Sequence, residues 1–74
     1  MKNSVLDARG LMCPEPVSKA QLRLKELSSG SALTILATDP ASHIDFEAFC
    51  LQTGHSFVSC EDSGQWLEIK LRKR

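Results

Sequence analysis

The sequence predicts an α+β domain: a two-layer α/β sandwich in which two helices cover one face of a mixed four-stranded sheet, in the order β-α-β-α-β-β. Three observations lead there. Two segments space their apolar residues at helical intervals, and four shorter ones read as strands. The first two strands are separated by a helix, as a right-handed parallel unit requires. The last two are separated by a short polar turn, as a hairpin requires. At 74 residues the chain is one domain, 1–74, with a thin core.

The elements follow in order. Ser4–Ala8 is a short first strand, and Arg9–Met12 a loop in which Gly10 supplies a turn needing unusual dihedrals. A helix spans about Pro14 to Leu27. Val17, Ala20, Leu24 and Leu27 form its apolar stripe, and Leu22 is left on the opposite face. Ser28–Ser31 ends it, with Gly30 in the cap region. Ala32–Thr38 is apolar at nearly every position, which suits a central strand. Pro40–Ile44 reads as a turn. Two helical frames then compete: Ile44, Ala48 and Leu51, or Phe46, Phe49, Cys50 and Thr53. The larger aromatic burial selects the second, which makes Asp45 the N-cap of a helix from Phe46 to Thr53, stopped by Gly54. His55–Glu61 is the third strand, Asp62–Gln65 a turn, and Trp66–Arg72 the fourth strand, with Leu67, Ile69 and Leu71 alternating against Glu68, Lys70 and Arg72.

Composition narrows the function classes. No stretch is long and apolar enough to span a membrane, and Met1–Asp7 lacks a signal-peptide core, so a cytoplasmic protein is expected. No phosphate loop or dinucleotide fingerprint is present, and no cofactor is implied. Net charge is zero, but residues 26–69 hold seven carboxylates and no lysine or arginine, so basic character is confined to the two ends. Two readings follow: a solvated surface with a basic tail, or a positive rim beside Cys13. Direct nucleic-acid binding through Arg72, Lys73 and Arg74 is disfavoured by the balanced charge and few aromatics.

The cysteines carry the chemistry. Cys13, Cys50 and Cys60 are odd in number and form no Cys-x-x-Cys pair, which argues against a disulfide framework and against zinc. Cys50 and Cys60 read as packing residues. His43 and His55 lie near turns, and nothing pairs either with Cys13. Cys13 precedes Pro14-Glu15-Pro16, and proline suits a first helical turn, so the thiol sits at the mouth of a helix. There the helix dipole favours an anion and lowers a thiol pKa. Glu15 opposes that effect. The residues alone leave two readings of Cys13: a small residue before a helix, or a reactive thiolate.

Leu6-Asp7-Ala8-Arg9-Gly10-Leu11-Met12-Cys13-Pro14-Glu15-Pro16 resembles the signature of the TusA (SirA-like) sulfur-carrier family, which reads Leu-Asp, two residues, Gly-Leu, one residue, Cys-Pro-x-Pro. The likeness continues through Asp39-Pro40-Ala41 and Phe49-Cys50 to the closing hairpin. Family members often carry Pro-Gly before the Phe-Cys pair; Glu47-Ala48 stands here, which implies a longer or straighter second helix. The resemblance implies a sulfur carrier or sulfurtransferase-type protein. Cys13 would accept persulfide sulfur from a cysteine desulfurase and relay it to a downstream protein, for tRNA 2-thiouridine synthesis or another sulfur pathway. It assigns Gly10, Pro14, Glu15 and Pro16 to shaping the motif, and Arg9, Lys19 and Arg23 to partner docking. The rival from a different class is a regulatory protein-interaction module without sulfur chemistry.

Overall fold

The computed structural model describes residues 3–74; Lys2, one of the cations of the basic N-terminal end, lies outside them. The elements are β1 (Asn3–Ala8), α1 (Glu15–Lys25), β2 (Ala32–Ala37), α2 (Ser42–Thr53), β3 (Ser56–Asp62) and β4 (Leu67–Arg72). The sheet order is β1-β2-β4-β3, with β1 and β2 parallel and the other neighbours antiparallel. This is the expected α+β architecture.

Paired residues across a sheet point to the same side. The row Leu6, Ile35, Ile69, Cys60 and the row Leu33, Leu71, Phe57 therefore share a face. That face joins Ala20 and Leu24 of α1 and Phe46, Phe49 and Cys50 of α2 in one core. A bulge between Phe57 and Ser59 re-phases β3, which brings Cys60 back to the core side opposite Ile69.

The α1 stripe faces the core as its spacing requires: Ala20 and Leu24 are buried, and Val17 and Leu27 pack at the margin. Both ends of α1 lie inside the expected bounds. Pro14 is the N-cap rather than a helical residue, and Pro16, fully buried, is the proline of the first turn. Glu26 is the C-cap, its N–H shared between the Arg23 and Leu24 carbonyls. Gly30 lies four residues further on and belongs instead to a turn closed by its N–H to the Lys73 carbonyl.

The start of α2 departs most from expectation. The helix begins at Ser42, and Asp45 is an acidic residue of its first turn rather than its N-cap. Asp39 explains the early start. One carboxylate oxygen accepts the Ala41 N–H at 3.0 Å, and its carbonyl accepts the Ser42 N–H at 3.0 Å. These bonds close the turn into helix geometry before the apolar frame begins. Pro40, which has no N–H, is tolerated in such an entry. The frame itself is the aromatic one: Phe46, Phe49 and Cys50 are buried, while Ile44 and Leu51 are 71% and 87% exposed. Gly54, at φ 85°, stops the helix with its N–H on the Cys50 carbonyl.

Candidate functional site

β1 and β2 run side by side to Ala8 and Ala37, and both chains leave the sheet at that end. Gly10, at φ 82°, turns the chain away from β1 and donates its N–H to the Thr38 hydroxyl at 2.8 Å. The turn delivers Cys13 to the position just before Pro14, through a cis peptide bond. Asp39 completes the mount: its second carboxylate oxygen accepts the Cys13 N–H at 2.9 Å. One side chain thus ties the entry of α1 to the entry of α2.

The Cys13 thiol is exposed, whereas Cys50 is buried and Cys60 half-buried. It opens onto a shallow groove of about 220 Å³ between the two helices, lined by Pro14 and Val17 on one side and by Asp45, Ala48, Phe49 and Gln52 on the other. Neither histidine contributes to this lining. His43 contacts Glu47 at 3.3 Å and stacks on Phe57. The His55 ring accepts the Arg74 N–H at 3.1 Å. Among the described residues, no three histidine, cysteine or carboxylate side chains gather in a metal-binding arrangement.

The electrostatics reverse the thiolate expectation. A hydrogen bond to the Asp45 carboxylate, aided by desolvation and by the charges of Asp45 and Asp39, raises the Cys13 pKa above the ordinary cysteine value. Two backbone N–H bonds, from Cys13 and from Ala41, hold Asp39 ionised beside it. The helix mouth offers little in return. Pro14 and Pro16 have no N–H, and the Glu15 N–H is already bonded to the Met12 carbonyl at 2.9 Å. The prolines that mark the mouth in the sequence thus remove the donors that would stabilise an anion there. Asp39 and Asp45 are the site residues that sequence reasoning missed. Asp39-Pro40 was legible as a turn signal and as part of the family likeness, and Asp45 only as a cap, none of which places a carboxylate beside Cys13.

The remaining expected residues fall in different places. Pro16 anchors the first turn in the core, and Glu15 is exposed beside Cys13. Arg9 is not a free docking cation: it grips Asp7 through two side-chain bonds of 2.9 Å and lies over the Trp66 ring at 4.8 Å. Arg9 in turn holds Asp7 at a pKa of about 2. Lys19 is exposed on α1, and Arg23 donates to the Val5 carbonyl at 3.2 Å; neither lines the groove. The C-terminal cations lie at the far end of the sheet, where Arg72 pairs with Ala32. Among the described residues, no positive rim surrounds Cys13.

The model of the family described as sulfurtransferase TusA matches residues 4–73. The chain belongs to the TusA family. It is 41% identical over 68 residues to the sulfur carrier protein TusA of Allochromatium vinosum, covering 92% of this chain and 90% of that one. The TusA protein of Pseudomonas aeruginosa is 39% identical over 66 residues, with 88% and 84% covered. YrkF of Bacillus subtilis is 46% identical over 69 residues, but this chain, 93% of it aligned, spans only 37% of that protein's length. Among solved structures, a SirA-like protein of Desulfitobacterium hafniense superposes with a TM-score of 0.82 at 26% identity, covering 93% of this chain and 95% of that one. A sulfur-carrier role follows from TusA membership.

Proposed function

We propose that Cys13 is the residue that carries the sulfur, taking it from a cysteine desulfurase and relaying it to an acceptor protein in the cytoplasm. In this reading the relay serves tRNA 2-thiouridine synthesis or another sulfur pathway. One observation carries the proposal: of the three cysteines, Cys13 alone is exposed, held by its own backbone at the rim of a groove.

The chemistry is thiol exchange without net oxidation. The Cys13 thiolate attacks the outer sulfur of the donor persulfide. The bond between that sulfur and the donor cysteine breaks, and the donor leaves as a thiolate that takes up the proton Cys13 released. A Cys13 persulfide remains. In the second half the acceptor thiolate attacks the same outer sulfur, and Cys13 leaves. The raised pKa shapes both halves. A more basic thiolate is scarcer but intrinsically more nucleophilic, and it is a poorer leaving group. The site therefore favours holding sulfur over shedding it to stray thiols.

Incubation with a desulfurase and free cysteine should add the mass of one sulfur atom. The gain should survive Cys50→Ser and Cys60→Ser and disappear in Cys13→Ser. A Cys13→Ser protein that still gains the sulfur overturns the reading.

A further inference from the structure

Folding sets a group of carboxylates at one end of this neutral chain and the C-terminal cations at the other. The loops and helix starts at the Ala8 and Ala37 end carry Glu15, Asp39 and Asp45, and the β3–β4 hairpin adds Glu61 and Asp62. The nearby Arg9 is spent on Asp7. The three C-terminal cations gather at the other end, and there they are engaged; Lys19 stands exposed on α1, outside the groove lining. Arg72 donates to the Gly30 carbonyl at 2.8 Å, Lys73 to Leu24 at 2.5 Å and Arg74 to Thr53 at 3.0 Å.

The groove beside Cys13 lies within the negative half. Its floor is apolar, from Val17, Ala48 and Phe49, and Asp45 stands on its wall. Next to it Met12 is 73% exposed, and Ile44 is left uncovered on α2. An apolar floor with a carboxylate rim fits a segment that is apolar at its centre and cationic at its flanks. The same field repels a polyanion.

We propose that the groove between α1 and α2 receives a cysteine-bearing segment of a partner protein whose cysteine is flanked by lysine or arginine, with Asp45, Glu15 and Asp39 meeting the cations. That the partner is a sulfur donor or acceptor rests on the function proposed above; the preference for a cationic segment rests on the groove and its charges alone.

Three short peptide disulfides test this, identical except that the cysteine is flanked by arginine, glutamine or glutamate. The Cys13 thiolate attacks one peptide sulfur, the disulfide breaks, and the released peptide takes the proton, giving a mixed disulfide read by intact mass and located by peptide mapping. Each rate is divided by that of the same disulfide with 2-mercaptoethanol, which removes differences in leaving-group acidity. A ratio between peptides is also independent of how much of Cys13 is ionised. The arginine peptide should outpace the glutamate peptide by about tenfold or more at low ionic strength, and by only about twofold at ~0.5 M salt. Glu15→Gln combined with Asp45→Asn should cut the low-salt ratio at least about threefold, whereas Glu26→Gln, at the opposite end, should leave it unchanged. Ala48→Arg should slow the arginine peptide and speed the glutamate peptide.

A ratio near one, a ratio indifferent to salt, or an equal loss in Glu26→Gln overturns the proposal. So does a salt-sensitive dimer of this chain that shields Cys13. A protein that keeps the charge preference but gains no sulfur from a desulfurase overturns the function and leaves the docking proposal standing; the converse result does the reverse.

Discussion

The two ends of the molecule treat charge in opposite ways. At the end bearing Arg72, Lys73 and Arg74, each side chain donates to a backbone carbonyl: Lys73 to Leu24 in α1, Arg74 to Thr53 in α2, and Arg72 to Gly30. Cations at helix C-termini satisfy orphan carbonyls and complement the dipole. At the end bearing Cys13, Asp39 accepts the Cys13 and Ala41 N–H groups, Asp62 the Gly64 N–H and Asp7 the Arg9 N–H, while Glu15 and Asp45 stand exposed or half-exposed around a thiol. Charge at one end holds the fold together. At the other, Glu15 and Asp45 are spare, and they bear on whatever approaches Cys13.

Substitutions at each end should separate these roles. The largest effect is expected at the basic end. Gly54 is left-handed, and an added Cβ would lie 2.9 Å from the Arg74 guanidinium. Gly54→Ala should cost about 1–2 kcal/mol and lower Tm by roughly 5–15 °C, with Cys13 alkylation unchanged per folded molecule. Asp39→Ala comes next and crosses the division, because Asp39 is an acidic residue beside Cys13 with a structural duty. It should cost about 1 kcal/mol by thermal melt and speed hydrogen exchange at the Cys13 amide. Asp45→Asn should barely move Tm. It removes the main cause of the raised Cys13 pKa, so alkylation by iodoacetamide at neutral pH should run several-fold faster, its pH profile displaced downward. A large loss of stability in Asp45→Asn would abolish the contrast between the ends.

The smallest effect concerns Asp7. Its folded pKa is depressed, so the stabilisation from its pair with Arg9 is complete above the ordinary carboxylate pKa and lost as pH falls through about 2. A carboxyl titration followed by NMR should show that midpoint, and Arg9→Ala should return it to roughly 4.

Much of the fold is local and therefore legible in the sequence. The α1 stripe, the alternation in β4 and the β3–β4 hairpin each depend on residues a few positions apart, and each was readable at that range. The aromatic frame of α2 was readable too, because burying Phe46 and Phe49 outweighs burying Ile44 and Leu51. The start of α2 was not. It depends on Asp39, whose carboxylate also bonds Cys13, 26 positions away. The role of the basic tail was missed for the same reason: Lys73 reaches the Leu24 carbonyl across 49 positions.

By itself the sequence determined the order of the elements, the core stripes and the placement of Cys13 at a helix mouth, since periodicity and proline act over a single turn. Only the tertiary structure decided the state of that thiol. Electrostatic environment is set by distance in space, and folding brings Asp39 and Asp45 from the second half of the chain against Cys13. A position that locally promises a thiolate thereby becomes a protonated thiol on an acidic rim.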